Sequence, residues 1–246
     1  MSSKKKIKVG KLILYVVLSF GAIVMVLPFI WTVLSSLKNM GQTFAYPVKI
    51  FPDPVVWENY PESLSALPFG RAYWNSFYIA AIVVIFQLLT ATMAGYSFAK
   101  LKFRGHGVIF VLFLATMMVP SQVTMIPLFL IMEKIGLLGS HMSLILPAAL
   151  FNAFGVFLMR QFIAGLPDEL EEAAIIDGAS VPQIFFRIII PLVKPSMAAF
   201  GIFVFLGQWN SFMYPLIFLN KTETFTVPLL LNFFKGTYAT DYPLLM

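Results

Sequence analysis

The sequence predicts an all-α, polytopic membrane protein, a bundle of apolar helices crossing a bilayer. Three observations predict it. Of the 246 residues, 59% are hydrophobic and only 11% charged, whereas soluble domains carry about 25% charged residues. The apolar residues are gathered into long runs, and a run of about 20 crosses the roughly 30 Å hydrocarbon layer as an α-helix. Only helices and closed barrels satisfy every backbone N–H and C=O in lipid, and the period-two alternation of barrel strands is absent here.

The first predicted span covers residues 12–37 and follows Lys4, Lys5, Lys6, Lys8 and Lys11. A signal peptide would have a shorter apolar stretch and a small-residue cleavage site, so this reads as a retained helix. Residues 38–75 are polar and contain Pro47, Pro52, Pro54, Pro61 and Pro68, which predicts an extended or turned loop outside the membrane. Span two covers about 76–99 and ends at the compact basic loop KLKFRGHG. Span three, about 108–127, holds Pro120 and Pro127, so a kink or break is expected toward its far end. Span four covers about 142–159, an acid-rich segment fills 160–195, and span five covers 196–219. The remainder is a mixed tail in which VPLLLNFF, 227–234, is too short for the about 20 residues that a crossing needs.

Basic residues set the orientation. With the N-terminus in the cytoplasm, the inner segments hold Lys4, Lys5, Lys6, Lys8, Lys11, Lys100, Lys102, Arg104, Arg160, Arg187 and Lys194; the outer ones hold Lys38, Lys49, Arg71, Lys134, Lys221 and Lys235. The excess inside favours this orientation and puts segment 160–195 in the cytoplasm. The net charge of +6 is spread over the ends of apolar runs rather than along one stripe, so it points to membrane orientation and not to a nucleic-acid partner. The chain has no cysteine, which excludes disulfides, thiolate metal sites and cysteine nucleophiles.

Five of the eleven acids, Asp168, Glu169, Glu171, Glu172 and Asp177, fall in one short segment. Asp168 follows Pro167 and stands three residues before Glu171, a capping-box-like start in which side chains satisfy the orphan N–H groups of a first turn. Acids there also oppose the helix dipole. Gly178 predicts the stop, because glycine enters the left-handed conformation cheaply. Ser180 and Gln183 form a second capping pair with Pro182 in the first turn, and Pro191 is expected to limit the run QIFFRIII. The segment therefore reads as a short amphipathic helix, a glycine elbow and a second helix returning to the membrane.

The order Glu172-Ala173-Ala174, three residues, Gly178, nine residues, Ile188, one residue, Ile190-Pro191 resembles the EAA motif of permease subunits of binding-protein-dependent ABC importers. The motif usually ends in Leu-Pro, so Ile190 is a mild departure. WENYPESL with PFGRAYWNS at 57–76, AKLKFRG at 99–105, MMVPSQVTMIPLF at 117–129 and GQWNSFMYPLIFL at 207–219 are similar to the sugar-importer branch around the second maltose permease subunit. The resemblance covers nearly the whole chain.

The resemblance implies a single permease transmembrane domain over 1–246, with five spans visible of six and the final span missing after the tail. It also implies partners: a second homologous permease subunit, two ATPase subunits, an extracytoplasmic solute-binding protein and membrane lipid. The loop would supply the coupling helix that sits in a cleft of the ATPase, with Glu172, Ala173, Ala174 and Gly178 as the carried-over positions and Asp177, Ile188 and Pro191 completing the coupling set. Small alanines allow close approach, glycine allows the turn, and the glutamate accepts charge-assisted hydrogen bonds. The implied function is import of a sugar or oligosaccharide; another polar solute such as glycerol phosphate is the alternative.

No phosphate loop, HExxH or GxSxG signature is present, so ATP and Mg would be bound by the ATPase partner and no cofactor by this chain. His106 and His141 fall in separate loops and read as plain loop residues, metal sites needing several convergent donors. An ion-coupled transporter would bury ionisable residues in its spans, and the five spans contain no Asp, Glu, Lys or Arg. Gln87 and Asn152 read as hydrogen bonds between helices. Gln208, Trp209 and Asn210, polar and aromatic groups adjacent in one span, are the candidates for a translocation path, with helix packing as their other reading.

Overall fold

The computed structural model describes residues 9–150, 152–237 and 242–246; Lys4, Lys5, Lys6 and Lys8, which weigh in the orientation, lie outside them. Among the described residues all regular structure is helical, and the chain divides into two compact units, residues 1–67 with 231–246, and residues 68–230.

The first unit contains α1 (Val9–Ser36), α2 (Met40–Thr43), α3 (Asn59–Ala66) and α14 (Tyr242–Leu245). α1 matches the first predicted span, and none of its most apolar window is buried by this chain, so lipid or another subunit must cover it. The segment after it is anchored by backbone acceptors. Asn59 Nδ2 donates to Ser36 O at 2.7 Å and Lys38 O at 2.8 Å, and buried Lys38 donates to Lys49 O at 2.7 Å beneath the Trp31 ring.

The second unit is built around α4 (Phe69–Lys100). This helix starts seven residues before the predicted span two: Pro68 is its N-cap, and residues 69–75, expected in the loop, contain no proline to interrupt it. After it come α5 (His106–Ala115) with a 3₁₀ turn at Thr116–Met118, α6 (Ser121–Lys134), α7 (Met142–Leu150), α8 (Ala153–Ala164), α9 (Glu169–Ile176) and α10 (Val181–Ile184). A π-helical turn at Phe185–Ile189 leads into α11 (Ile190–Trp209) and α12 (Met213–Phe218), and α13 (Val227–Thr237) carries the chain back to the first unit.

Among the described residues, four helical stretches are long and apolar enough to cross a membrane: Gly10–Ser36, Phe69–Lys100, Met142–Ala164 and Val181–Trp209. The expected break in span three falls at Pro120, where His106–Met118 and Ser121–Lys134 meet at 97°. Proline forces the residue before it out of the α region, and Val119 is extended (φ −84°, ψ 116°). Pro127, by contrast, is accommodated inside α6.

α4 packs on α8, α11 and α7. It comes close to α8 at Gly95, where a Cβ would lie 2.8 Å from both Met159 Cβ and Arg160 N. Small residues allow helices to approach in membranes, where apolar burial gives no advantage over lipid. Gln87 and Asn152 do join helices. Asn152 Nδ2 donates to Gln87 Oε1 at 2.5 Å, Gln87 Nε2 donates to Ala148 O at 2.5 Å, and Asn152 Oδ1 caps α8 by accepting from Gly155 N at 2.7 Å. His141 is more than a plain loop residue: one ring nitrogen bonds the Tyr78 hydroxyl on α4 and the other lies 2.7 Å from Thr224 O.

Gly95→Ala is expected to destabilise the purified protein by about 1–3 kcal/mol, because α8 backbone stands in the way. Gly70→Ala, on the same helix with nothing within 4 Å of its Cβ, is expected to be neutral or stabilising by up to about 1 kcal/mol. Thermal unfolding of the two variants in one detergent checks the contrast.

Candidate functional site: a coupling elbow and an interior cavity

α9 opens with acids Glu169, Glu171 and Glu172 in its first turn. The sequence suggests Asp168 as a side-chain cap, but the structure places it otherwise. Asp168 has helical φ and ψ (−71°, −24°) and its carboxylate makes no cap bond; it accepts from Lys100 at the end of α4. The Lys100 ammonium also donates to Leu166 O at 2.7 Å and lies 3.9 Å from Glu171 Oε1. Tyr96, one turn earlier on α4, donates to Glu171 Oε2 at 3.2 Å. Only 6% of the Lys100 side chain is exposed, so it needs the counter-charge. The hydrogen bond from Lys100, then its charge, holds the Asp168 carboxyl below the ordinary carboxylate range.

The five acids thus divide. Asp168 and Glu171 fasten α9 to α4, whereas Glu169, Glu172 and Asp177 face outward. Ala174 is buried against the protein; Ala173 is exposed beside Leu170 and Ile176, the latter 86% exposed. Leu170, Ala173 and Ile176 recur every three residues along one side of the helix.

The helix ends as the sequence predicts. Gly178 has φ +80°, Ala179 N donates to Ala174 O at 2.9 Å and Gly178 N to Ile175 O at 3.0 Å, the two bonds of a Schellman motif. A Cβ on Gly178 would meet nothing within 4 Å, so glycine is needed for backbone conformation and not for room. Ser180 N then donates to Gln183 Oε1 at 2.7 Å, starting α10. The second helix differs from expectation: it does not stop at Pro191 but runs from Val181 to Trp209. Proline lacks an N–H and its ring clashes with the carbonyl four residues back. The π-turn widens the ladder just there, Ile190 N–H reaching Phe185 O, and Pro191 falls in the first turn of α11. Ile188 is half-buried in the π-turn and Pro191 is exposed. The connection between the two long helices, which includes α9, is therefore about 165–180, shorter than the predicted 160–195.

The predicted fifth span, 196–219, is also interrupted. α11 ends at Trp209, and Asn210 Nδ2 donates back to Leu206 O at 2.9 Å, a side-chain bond that competes with the helical ladder. Trp209 stacks on Phe205 at 5.7 Å and lies 6.1 Å from Tyr73. Gln208 alone of the three path candidates reaches a cavity of about 750 Å³. That cavity lies among α4, the α5–α6 break, α7, α11 and α12, and Thr226 also lines it.

The link between α4 and α9 is tertiary. The signal was present: Tyr96 and Lys100 are four apart on one helix face, and Asp168 and Glu171 three apart on another, complementary pairs at helical spacing.

An all-helical apolar bundle with this elbow has the architecture that the sequence resemblance implies, that of the membrane-embedded subunits of binding-protein-dependent import. The family profile described as the binding-protein-dependent transport system inner membrane component matches residues 87–245, and the chain belongs to that family. It is a multi-pass transport permease subunit. Among its relatives, the lactose transport system permease protein LacG of Rhizobium radiobacter is 32% identical over 232 residues, covering 94% of this chain and 84% of the relative. The arabinooligosaccharides transport system permease protein AraQ of Halalkalibacterium halodurans is 33% identical over 234 residues, covering 93% and 82%. A bacterial ABC transporter involved in the import of the acidic polysaccharide alginate shares the fold, with a TM-score of 0.81 at 24% identity over 100% of this chain and 90% of the other.

Lys100→Met is expected to raise amide exchange across residues 169–177 roughly tenfold, because a charge-assisted anchor is lost, with Lys100→Arg largely restoring protection. A carboxylate whose pKa is depressed by folding stabilises above its unfolded value, about 3.9, and loses that contribution as pH falls through the lower folded value. Asp168 is such a group. Protection of α9 by this pair is therefore expected to stay constant from about pH 5 to 8, as exchange measured at several pH values and corrected for intrinsic rates will test.

Proposed function

We propose that this chain is the permease subunit of an ABC importer that carries a sugar or oligosaccharide into the cell, driven by ATP hydrolysis on a separate subunit. The observation that carries the coupling half is the elbow at Gly178, set between two membrane helices, with Glu172, Ala173 and Ile176 presented outward. A short helix offering outward acids and an exposed alanine between apolar neighbours suits insertion into a cleft on another protein. Glu172, Ala173, Ala174, Asp177 and Gly178 form the coupling helix and its turn, and Ile188 and Pro191 set the return helix. The sugar half is supported by the names of the relatives, lactose and arabinooligosaccharide permeases.

The partners in this reading are a second homologous permease, two ATPase subunits holding ATP and Mg, and an extracytoplasmic solute-binding protein. The N-terminus and the elbow lie in the cytoplasm, supported by the excess of Lys and Arg on the elbow's side. Gln208 lines the solute path; Trp209 and Asn210 shape the end of its helix.

Reconstitution with and without the partner subunits is the test. Sugar uptake driven by ATP is expected only from the full assembly, and uptake by this chain alone contradicts the reading. In the full assembly, Gly178→Val is expected to reduce uptake at least tenfold while membrane insertion is kept. A β-branched residue held left-handed costs on the order of 1–2 kcal/mol and would re-aim both flanking helices. Normal uptake with normal ATPase co-purification in this variant sinks the assignment of the elbow.

A further inference from the structure

We propose that Asn75, Ser76 and His141 act as positioning residues that fasten residues 222–227 to the start of α4, so that this segment moves as one body with the helix whose far end holds α9. The proposal rests on the import reading above for its transport readout, while its distance readout stands apart from that reading.

The segment has little structure of its own. It consists of one 3₁₀ turn, Thr222–Thr224, followed by extended chain at Phe225 (φ −65°, ψ 144°), yet Phe225, Thr226 and Val227 are buried. Buried backbone without a helical ladder must find its hydrogen bonds elsewhere. Side chains supply them. Asn75 Nδ2 donates to Glu223 O at 2.9 Å and to Phe225 O at 3.0 Å, His141 Nε2 donates to Thr224 O at 2.7 Å, and the Ser76 hydroxyl accepts from Val227 N at 2.9 Å. Three consecutive carbonyls and the amide that opens α13 are thus held from outside the segment.

These bonds converge on α4. Asn75 and Ser76 are adjacent on it and both buried. A carbonyl can only accept, so His141 Nε2 carries the ring proton, and in the neutral ring Nδ1 accepts from the hydroxyl of Tyr78, also on α4. His141 therefore bridges the segment to α4 through its two nitrogens. The loop that bears it is pinned in turn, because Gly139 N donates to Phe218 O at 2.8 Å at the end of α12.

Satisfying backbone would suffice for folding, but the position of the clamp adds a consequence. α4 is one unbroken helix from Phe69 to Lys100, and at 1.5 Å per residue Asn75 and Lys100 lie roughly 37 Å apart along it, enough to cross the hydrocarbon layer. Tyr96 and Lys100 fasten one end to α9, and Asn75, Ser76 and Tyr78 fasten the other to residues 222–227. A helix with an intact ladder in a packed bundle does not stretch, so a displacement of the elbow is delivered to the segment. Lys221, Thr222 and Glu223, at the segment's tip, are exposed.

The chain has no native cysteine, so Gly70→Cys and Thr222→Cys, both at exposed positions, can carry a pair of spin labels in the full importer, in nanodiscs, with the other subunits made cysteine-free. The distance between the labels is expected to be a single narrow peak that stays the same without nucleotide and with ATP and vanadate, and to broaden in His141→Ala. A peak that shifts between the two states in the otherwise unaltered chain overturns the proposal. Uptake of lactose or arabinotriose is expected to fall several-fold in His141→Ala while ATP hydrolysis continues, so that less sugar is moved per ATP. His141→Gln, whose amide N–H reaches the place of Nε2, is expected to restore that ratio, and His141→Asn, which reaches only the place of Nδ1, is not. Ser76→Ala, which removes only the acceptor for Val227 N, is read in the same way where His141→Ala does not assemble. Uptake and hydrolysis that fall in proportion also overturn the proposal, since the bonds then only hold the fold. An assembled importer that moves neither sugar overturns the import reading alone, and the label distance still decides the clamp.

Discussion

A backbone N–H or C=O in hydrocarbon has no water to turn to, and the rest of this structure depends on how that constraint is met. The chain contains proline at 120, 127, 147, 191 and 195, each inside or beside an apolar helix. Where the ladder is interrupted, a polar side chain stands in. Gln87 donates to Ala148 O and Asn152 accepts from Gly155 N across the α7–α8 junction; Thr116 donates to Phe113 O before the Pro120 break; Asn210 donates to Leu206 O where α11 ends. Most polar residues of the spans are thus committed to backbone.

α4 connects the two sites. Its middle crosses α8 closely at Gly95, its flank packs on α11, and its end holds α9 through Tyr96 and Lys100. Ser76 and Ile79 on the same helix line the cavity. Interiors are packed at crystal-like density and do not deform continuously. A force applied to α9 therefore reaches α4 as displacement of the whole helix rather than as local give. The return helix has a different character: the π-turn at Phe185–Ile189 lies between the elbow and α11, and π-turns inside helices mark places where the ladder is less constrained.

Much of this was legible in the sequence, and what was missed has a pattern. The class, the order of the spans, the break in the third and the glycine stop at Gly178 all follow from strong local signals: apolar length, proline and left-handed φ. The places where expectation and structure part are those decided by tertiary partners. Pro191 reads as a terminator, but a widened turn accommodates it. Residues 196–219 read as one apolar run, and only the side-chain bond from Asn210 marks the interruption. His141 reads as a loop residue, since nothing local reveals Tyr78 and Thr224 as its neighbours. Of Gln208, Trp209 and Asn210, adjacency in sequence could not say which faces the cavity, because consecutive helical residues point about 100° apart.

Asp168 shows how such a contest is settled. Its position before α9 makes it a natural N-cap, and a cap contributes about 1 kcal/mol. The competing demand comes from Lys100, nearly buried at the end of α4. An ammonium left in that position without a counter-charge costs several times what a cap supplies. The carboxylate turns to the lysine, and the first-turn amides of Glu171 and Glu172 are satisfied by the Asp168 carbonyl instead, both at 3.0 Å. The same reasoning explains why the segment needs so many acids. Two are consumed in neutralising and positioning the α4 terminus, so a helix that is also to present negative charge outward must carry more, and Glu169, Glu172 and Asp177 are that surplus.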